Sequence, residues 1–336
     1  RPPISPSRPA RYTAGTVFFT LLLSLFLTLL PFSKDEWIGD GFFEGWRWET
    51  TNDPTHGRVN FVDQAEALIK NLTYADGGKF IMRADDWSIV DPLARGRDSI
   101  RILSNNAYDE AIIVLDLQHM PAGSKLGPWP HGGEIDIIEG VNDNTHNQAT
   151  LHTAPNCRVP RESRLQTGIL KSVTGALYPP IAIPAVNFNA GCGVEFSESR
   201  TSYGDQFNLA GGGYFVMYKG RDSVKVWFFP RGHDVPEVIR DGAQRRKLVY
   251  PDFDWDVPAA NFPFDSDQCD YEQHFDAHQI VFDLTFCGDW AGSAWSNSGC
   301  GTAGECVDFV NNNPSEFAEA FWEINSLRVY TPQRSW

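Results

Sequence analysis

Three carboxylates fall within one short apolar run, Gly132-Gly133-Glu134-Ile135-Asp136-Ile137-Ile138-Glu139-Gly140-Val141. Acids packed this closely repel one another and are costly to place in a fold, so the pattern points to acid–base chemistry. The β-branched residues between them make the run a strand, in which side chains alternate between two faces. Glu134 and Asp136 then share a face, and Ile135 and Ile137 point into an apolar layer. Strict alternation would send Glu139 to the isoleucine side. One extra residue at Ile137-Ile138, a β-bulge, turns it back.

At about 3.3 Å per residue, the Cα atoms of Glu134 and Glu139 would lie on the order of 13 Å apart, so their side chains must lean together on a curved strand. The separation wanted is roughly 5 to 5.5 Å between carboxyls, the spacing of a retaining glycosidase in which one acid attacks the sugar and the other protonates the leaving oxygen. Asp136 between them disfavours a second negative charge and helps keep one glutamate protonated near neutral pH. Two plainer uses of the cluster stay open: a solvated sheet face, or a calcium site made from clustered oxygens. Solvated faces usually mix charge signs and carry Thr, whereas this run is Glu-x-Asp-x-x-Glu with glycine at both ends.

Other chemistries are weakly signalled. Gly211-Gly212-Gly213 lacks the lysine and spacing of a phosphate loop and reads as a turn, and neither a Gly-x-Ser-x-Gly elbow nor a His-Glu-x-x-His helix is present. No Cys-x-x-Cys pair supports zinc or thiol redox chemistry. Of the 8 histidines, His152 in Leu151-His152-Thr153 stands out. It belongs to the next strand, and if that strand lies beside the acidic one, His152 faces the same cleft and can bond a carboxylate or a sugar hydroxyl.

The elements that must position these groups are short β-runs separated by Gly, Asn, Asp and Pro. Strands are predicted at Phe80–Arg83, Ser99–Leu103, Ala111–Gln118, Ile135–Ile138, Ala149–Thr153, Tyr214–Tyr218, Val224–Phe229, Gln279–Phe286 and Glu323–Tyr330. Many strands with turn signals between them predict an all-β sandwich or jelly roll. Val224-Lys225-Val226-Trp227-Phe228-Phe229 is the clearest buried one. Asn313-Pro314-Ser315-Glu316 followed by Phe317–Phe321 predicts one short helix with Pro314 early in it. The apolar, proline-rich stretch Ser172–Phe188 sits where a polar surface loop would be expected, as an irregular flap or as sequence foreign to the mature protein.

A chain of 336 residues can form one large sandwich around a single core. Its 11 tryptophans exceed what packing usually needs and suit stacking on sugar rings. The formal charge is -15, and the first 33 residues hold three arginines and no acid, so the body is more acidic still. Nucleic acid is excluded as a natural partner of so acidic a body, whereas a neutral glucan meets no repulsion.

From Tyr12 to Ser33 the chain runs 22 residues without a charge, rich in leucine, which predicts a signal peptide or an uncleaved membrane anchor over residues 1–33. Either places a catalytic body at 34–336 outside the cytosol, secreted or anchored at the cell surface. Six cysteines (157, 192, 269, 287, 300 and 306) and the glycosylation acceptor Asn71-Leu72-Thr73 suit an oxidising compartment. Fifteen disulfide pairings are open to six cysteines.

Taken together, these motifs resemble glycoside hydrolase family 16, in particular its fungal laminarinase-type endo-1,3(4)-β-glucanases. The resemblance rests on Gly-Glu-Ile-Asp-Ile-Ile-Glu-Gly, Asp53-Pro54-Thr55-His56-Gly57-Arg58-Val59-Asn60, His119-Met120-Pro121, Leu151-His152-Thr153, Val224–Arg231 and Leu284–Gly292, across roughly Trp37 to Tyr330. It implies a concanavalin A-like β-jelly-roll sandwich with a concave substrate cleft and a monomer acting on β-1,3 or mixed β-1,3-1,4 glucans. It implies Glu134 as nucleophile, Asp136 as its helper and Glu139 as acid/base. His152, Trp290 and Trp129 would contact sugar, with Asn60 and Arg101 as further candidates. No metal or cofactor is implied, with a structural calcium ion as the alternative.

Two departures from the family pattern stand out. Only Ala122–Pro130 separates His119-Met120-Pro121 from the acidic run, with Trp129 as its sole tryptophan, and the loss of a second aromatic platform would remove roughly 1 to 2 kcal/mol of sugar binding. The proline-rich insert is the other. They keep two alternatives in view: a cell-wall β-glucan transglycosylase and a catalytically impaired glucan-binding protein.

Overall fold

The computed structural model describes residues 32–121, 132–158, 165–171, 191–241 and 255–332. Trp129, the proline-rich insert and the apolar segment up to residue 31 lie outside them. Phe32 and Ser33, read above as the end of that segment, instead open the first strand. No helix among the described residues is long and apolar enough to cross a membrane.

In chain order the strands are β1 (Phe32–Trp37), β2 (Trp46–Trp48), β3 (Val59–Phe61), β4 (Thr73–Asp76), β5 (Lys79–Arg83), β6 (Arg97–Ser99), β7 (Arg101–Tyr108), β8 (Ala111–His119) and β9 (Glu134–Glu139). They continue with β10 (Gln148–His152), β11 (Ile169–Leu170), β12 (Cys192–Glu195), β13 (Gly213–Lys219), β14 (Ser223–Pro230), β15 (Ala260–Pro263), β16 (His278–Asp283) and β17 (Phe321–Pro332). One large antiparallel sheet runs β15-β14-β13-β8-β17-β5-β4, with β1 also on β17. The opposing layer holds two sheets, β11-β12-β10-β9 and β16-β7-β2, and β3 pairs with β6 in parallel. The all-β sandwich expected from the sequence is therefore present.

Period-two patterning explains the layers. On β8, Ile113, Leu115 and Leu117 enter the main core, while Ile112 and Val114 enter a smaller cluster on the other side of the large sheet. Strand β14 does the same, with Val224 and Val226 inward and Trp227 and Phe229 outward under Ile239. A strand buried on both faces reads as a continuous apolar run, as Val224–Phe229 does. Ile102, Ala149, Leu151, Val194 and Phe282 supply the core from the opposing layer.

Three predicted elements are revised. Ser99–Leu103 is two strands, because β6 ends at Ser99 and β7 begins at Arg101, with Ile100 fully buried between them. Strand β16 stops at Asp283 rather than reaching Phe286. The helix at Pro314 is a short 3-10 turn, Pro314–Phe317, with proline in its first turn as expected, while Phe321 already belongs to β17. Disulfides join Cys157 to Cys269 and Cys287 to Cys306.

Polar contacts cross the interior, among them one between two titratable groups. Lys219, at the end of β13 and only 1% exposed, places its ammonium 2.6 Å from His278 Nδ1 on β16. Burial and the adjacent lysine charge push the His278 pKa down from 6.5 to about 4, and burial lowers Lys219 to about 8. The imidazole is thus neutral in the fold.

Two outcomes are expected from these interactions. Ile324→Ala, at a fully buried site in the middle of β17, should lower stability by about 2 to 5 kcal/mol in urea unfolding. Because the unfolded chain binds a proton at His278 near pH 6.5 and the folded chain only near pH 4, stability should fall by about 3 kcal/mol as pH drops through that window. His278→Gln, which does not titrate, should show a loss smaller by that amount.

Candidate active site

Strand β9 is laddered to β10, and the register between them decides where the acids point. His152 faces Glu134, Leu151 faces Ile135 and Thr150 faces Asp136, but Gln148 faces Glu139. Two steps along β10 therefore span three along β9, and the surplus residue falls at Ile137-Ile138. The burial pattern follows: Glu134, Asp136 and Glu139 are buried, and the three isoleucines pack against the core. Residues directly opposite on a ladder share a face, so the acids stand beside Gln148, Thr150 and His152, while Ala149 and Leu151 enter the core.

Asn147 holds the bulge. Its Oδ1 accepts from the Glu139 amide at 3.0 Å, and its Nδ2 donates to the Ile137 carbonyl at 2.8 Å. One side chain thus satisfies backbone groups that the irregular ladder cannot reach, which is required where water is excluded. Ser202 Oγ in turn accepts from the Asn147 amide at 3.1 Å. Glycines at both ends admit close neighbours. Gly133 has φ +74°, and a Cβ there would lie 2.6 Å from the His274 carbonyl; a Cβ at Gly140 would lie 2.5 Å from the Tyr203 ring.

Each acid has its own surroundings. Glu139 Oε2 accepts from Thr150 Oγ1 at 2.6 Å and from Gln148 Nε2 at 3.2 Å. Both donors fall on one oxygen. His152 Nε2 lies 3.2 Å from Asp136 Oδ2, close enough for electrostatic attraction but off the axis of a hydrogen bond. Glu134, Asp136 and His152 each bring one donor atom within 4.8 Å of the others, a set of metal-ligand type. The structure therefore brings together four of the residues singled out in the sequence.

The remaining candidates lie elsewhere. Trp290, 37% exposed, stands on the helix Asp289–Trp295, whose Ala291 carbonyl accepts from Asn142 Nδ2 just beyond β9. Asn60, on β3, donates to Asp98 Oδ1 at 2.6 Å. Arg101 is 4% exposed and paired at 2.5 Å with Asp283, its cross-strand partner, and at 3.3 Å with Glu49. Two stretches that carried the resemblance meet here: Asp53 Oδ2 accepts from Thr55, Gly57 and Thr285, and the Asp289 amide donates to the Thr55 carbonyl. A cavity of about 610 Å³ lies along β9, where β9 and β16 are not laddered to each other, lined by Glu134 and Asp136 as well as by Leu115, Phe215 and Trp322.

Asn147, Thr150 and Gln148 are the functional candidates that sequence reasoning missed. The alternation Gln148-x-Thr150-x-His152 around Ala149 and Leu151 was the available signal.

A family model described as an XgeA-like catalytic GH16 domain matches residues 46–330. The chain belongs to glycoside hydrolase family 16. A probable glycosidase of Schizosaccharomyces pombe is 41% identical over 305 residues, which cover 88% of this chain and 68% of that protein. A probable endo-1,3(4)-beta-glucanase of Aspergillus niger is 37% identical over 315 residues, 88% of this chain but only 39% of its own length. Among solved structures, the GH16 laminarinase 16A of Phanerochaete chrysosporium, holding β-glucans in donor and acceptor sites, superimposes with TM-score 0.80 at 44% identity. The match covers 89% of this chain and all of that one. An elongating GH family 16 β-1,3-glucosyltransferase superimposes with TM-score 0.75 at 32% identity, again over 89% and 100%. The GH16 chain described here thus carries a glycoside hydrolase domain on a jelly roll, in a family of endo-β-glucanases and glucosyltransferases.

Asn147→Ala should leave the Glu139 amide and the Ile137 carbonyl without their shared partner and destabilise the fold by about 1 to 3 kcal/mol in chemical denaturation. Because it also releases the bulge that turns Glu139, turnover per folded molecule should fall with it.

Proposed function

We propose that this domain hydrolyses internal β-1,3 bonds of β-glucans, including mixed β-1,3-1,4 glucans, with retention of configuration. The observation that carries the reading is the bulged register of β9, which turns Glu134, Asp136 and Glu139 onto one face. Glu134 attacks the anomeric carbon and forms a glycosyl–enzyme ester, while Glu139 gives its proton to the departing glycosidic oxygen. Glu139 then takes a proton from the incoming water, whose oxygen displaces Glu134. Asp136, flanked by Glu134 and His152, is the nucleophile's helper, its charge disfavouring a further negative charge nearby and so favouring the protonated form of the acid/base Glu139. In this reading the carboxylates act without a cofactor, and His152, Trp290 and Trp129 contact the sugar chain.

The names of the relatives support the substrate class, and the disulfides support an extracellular setting. A second reading is favoured by the likeness to the elongating glucosyltransferase. The same ester would then be opened by a sugar hydroxyl in place of water. Since the chain spans 39% of the Aspergillus niger relative, the activity of a longer protein rests on this proposal too.

Glu134→Gln and Glu139→Gln should each lower turnover of laminarin or lichenin by about 10²-fold or more, with the fold unchanged by circular dichroism. Loss of less than about tenfold in both would overturn the assignment. Sizing the products from a defined oligosaccharide separates the two readings, because only transfer makes chains longer than the input.

A further inference from the structure

The head of β9 is held by a part of the molecule that the chemistry above does not use. Among the described residues, β9 is laddered to β10 alone, and its other edge meets the segment before β16 only at one end. There the Asp276 amide donates to the Gly132 carbonyl at 3.1 Å, and His278 Nε2 lies 2.9 Å from the Gly133 carbonyl. That carbonyl belongs to the peptide plane that begins Glu134. The tautomer is fixed by what lies on the other ring nitrogen, because Nδ1 faces the Lys219 ammonium at 2.6 Å and must accept. The ring proton then sits on Nε2 and points at Gly133.

Lys219 is itself fully engaged. Its three N–H groups meet His278 Nδ1, the Asp276 carbonyl at 2.7 Å and the Tyr108 carbonyl at 3.2 Å. Asp109 and Glu110 from the β7–β8 turn, Asp276, Arg221 and the Tyr271 ring at 5.7 Å are the charged and titratable groups around it. Burying an ammonium against two carbonyls and an imidazole is a costly way to join two layers, and apolar packing would serve stability better. The return is directional: the ammonium orients one imidazole, and the imidazole orients one peptide.

We propose that Lys219 and His278 are positioning residues for the nucleophile, acting through the Gly133–Glu134 peptide to set the lean of Glu134 toward the bond that is cleaved. The inference rests on the assignment of Glu134 as nucleophile. A strand fixed on one side and pinned at one end on the other can pivot if the pin is removed, and a misplacement of about 1 Å at a reacting group costs on the order of 10²-fold in rate.

The test compares His278→Phe, His278→Gln and Lys219→Met with the unaltered protein on laminarin, at pH 7, with rates expressed per folded molecule. His278→Phe and Lys219→Met should lower kcat by about 10- to 100-fold and leave KM within about threefold, and His278→Gln, whose amide can still donate to Gly133, should recover most of the loss. A purely structural role would lower the folded fraction and leave kcat per folded molecule unchanged in all three, which overturns the proposal. Amide hydrogen exchange at Glu134 and Ile135 gives a readout independent of turnover: faster in His278→Phe and restored in His278→Gln. If the unaltered protein cleaves no β-glucan, the functional reading fails by itself. Exchange rates then decide the latch, and equal rates in all variants overturn it.

Discussion

The arrangement of the site depends on one surplus residue in β9 and on the side chain that accommodates it. Without the bulge, a flat ladder would put Glu139 among the isoleucines, and its carboxylate would be buried in an apolar core with no partner. With it, all three acids share a face, and the isoleucines still fill the core. Asn147 makes the irregularity affordable by supplying both a donor and an acceptor where the ladder breaks. The same residue is itself held by Ser202, from the segment after β12, so the bulge is braced from outside its own hairpin.

The rest of the sandwich can be understood as support for that pair of strands. The large sheet, buried on both faces around β8, β13, β14 and β17, is a rigid wall against which Ala149, Leu151, Phe282 and the β9 isoleucines pack. The opposing layer is less continuous, split into two sheets with polar groups near the split. Buried charge is managed pairwise, with Arg101 against Asp283 within that layer and Lys219 of the large sheet against His278 and two carbonyls across it. A fold that concentrates acids on one side needs such fixed partners, because each buried ion left alone would cost several kcal/mol.

Much of this was legible in the sequence, for identifiable reasons. The strand type, the shared face and the bulge follow from period two and the spacing of Glu134, Asp136 and Glu139, since a costly pattern has few structural solutions. His152 was legible because the next apolar run had to be the neighbouring strand. Asn147 was not, because a polar residue at a strand entrance reads as an ordinary turn until its two backbone partners are known. Lys219 and His278 were opaque for a different reason. They are 59 residues apart, and neither lies in a motif, so their contact exists only through the stacking of two layers. Short helices such as Gln64–Ile69, capped by Asp63, were missed because six residues hold too little periodicity to distinguish them from loop.

The bridge between Cys157 and Cys269 spans 112 residues and joins the stretch just after β10 to the stretch just before the helix Tyr271–His274. Beyond that helix comes the segment that grips the head of β9. During synthesis from the N-terminus, the acid-bearing hairpin emerges long before either the second cysteine or that gripping segment. The end of β9 that carries Glu134 therefore gains its second support only after the far part of the chain has been made and folded back onto it.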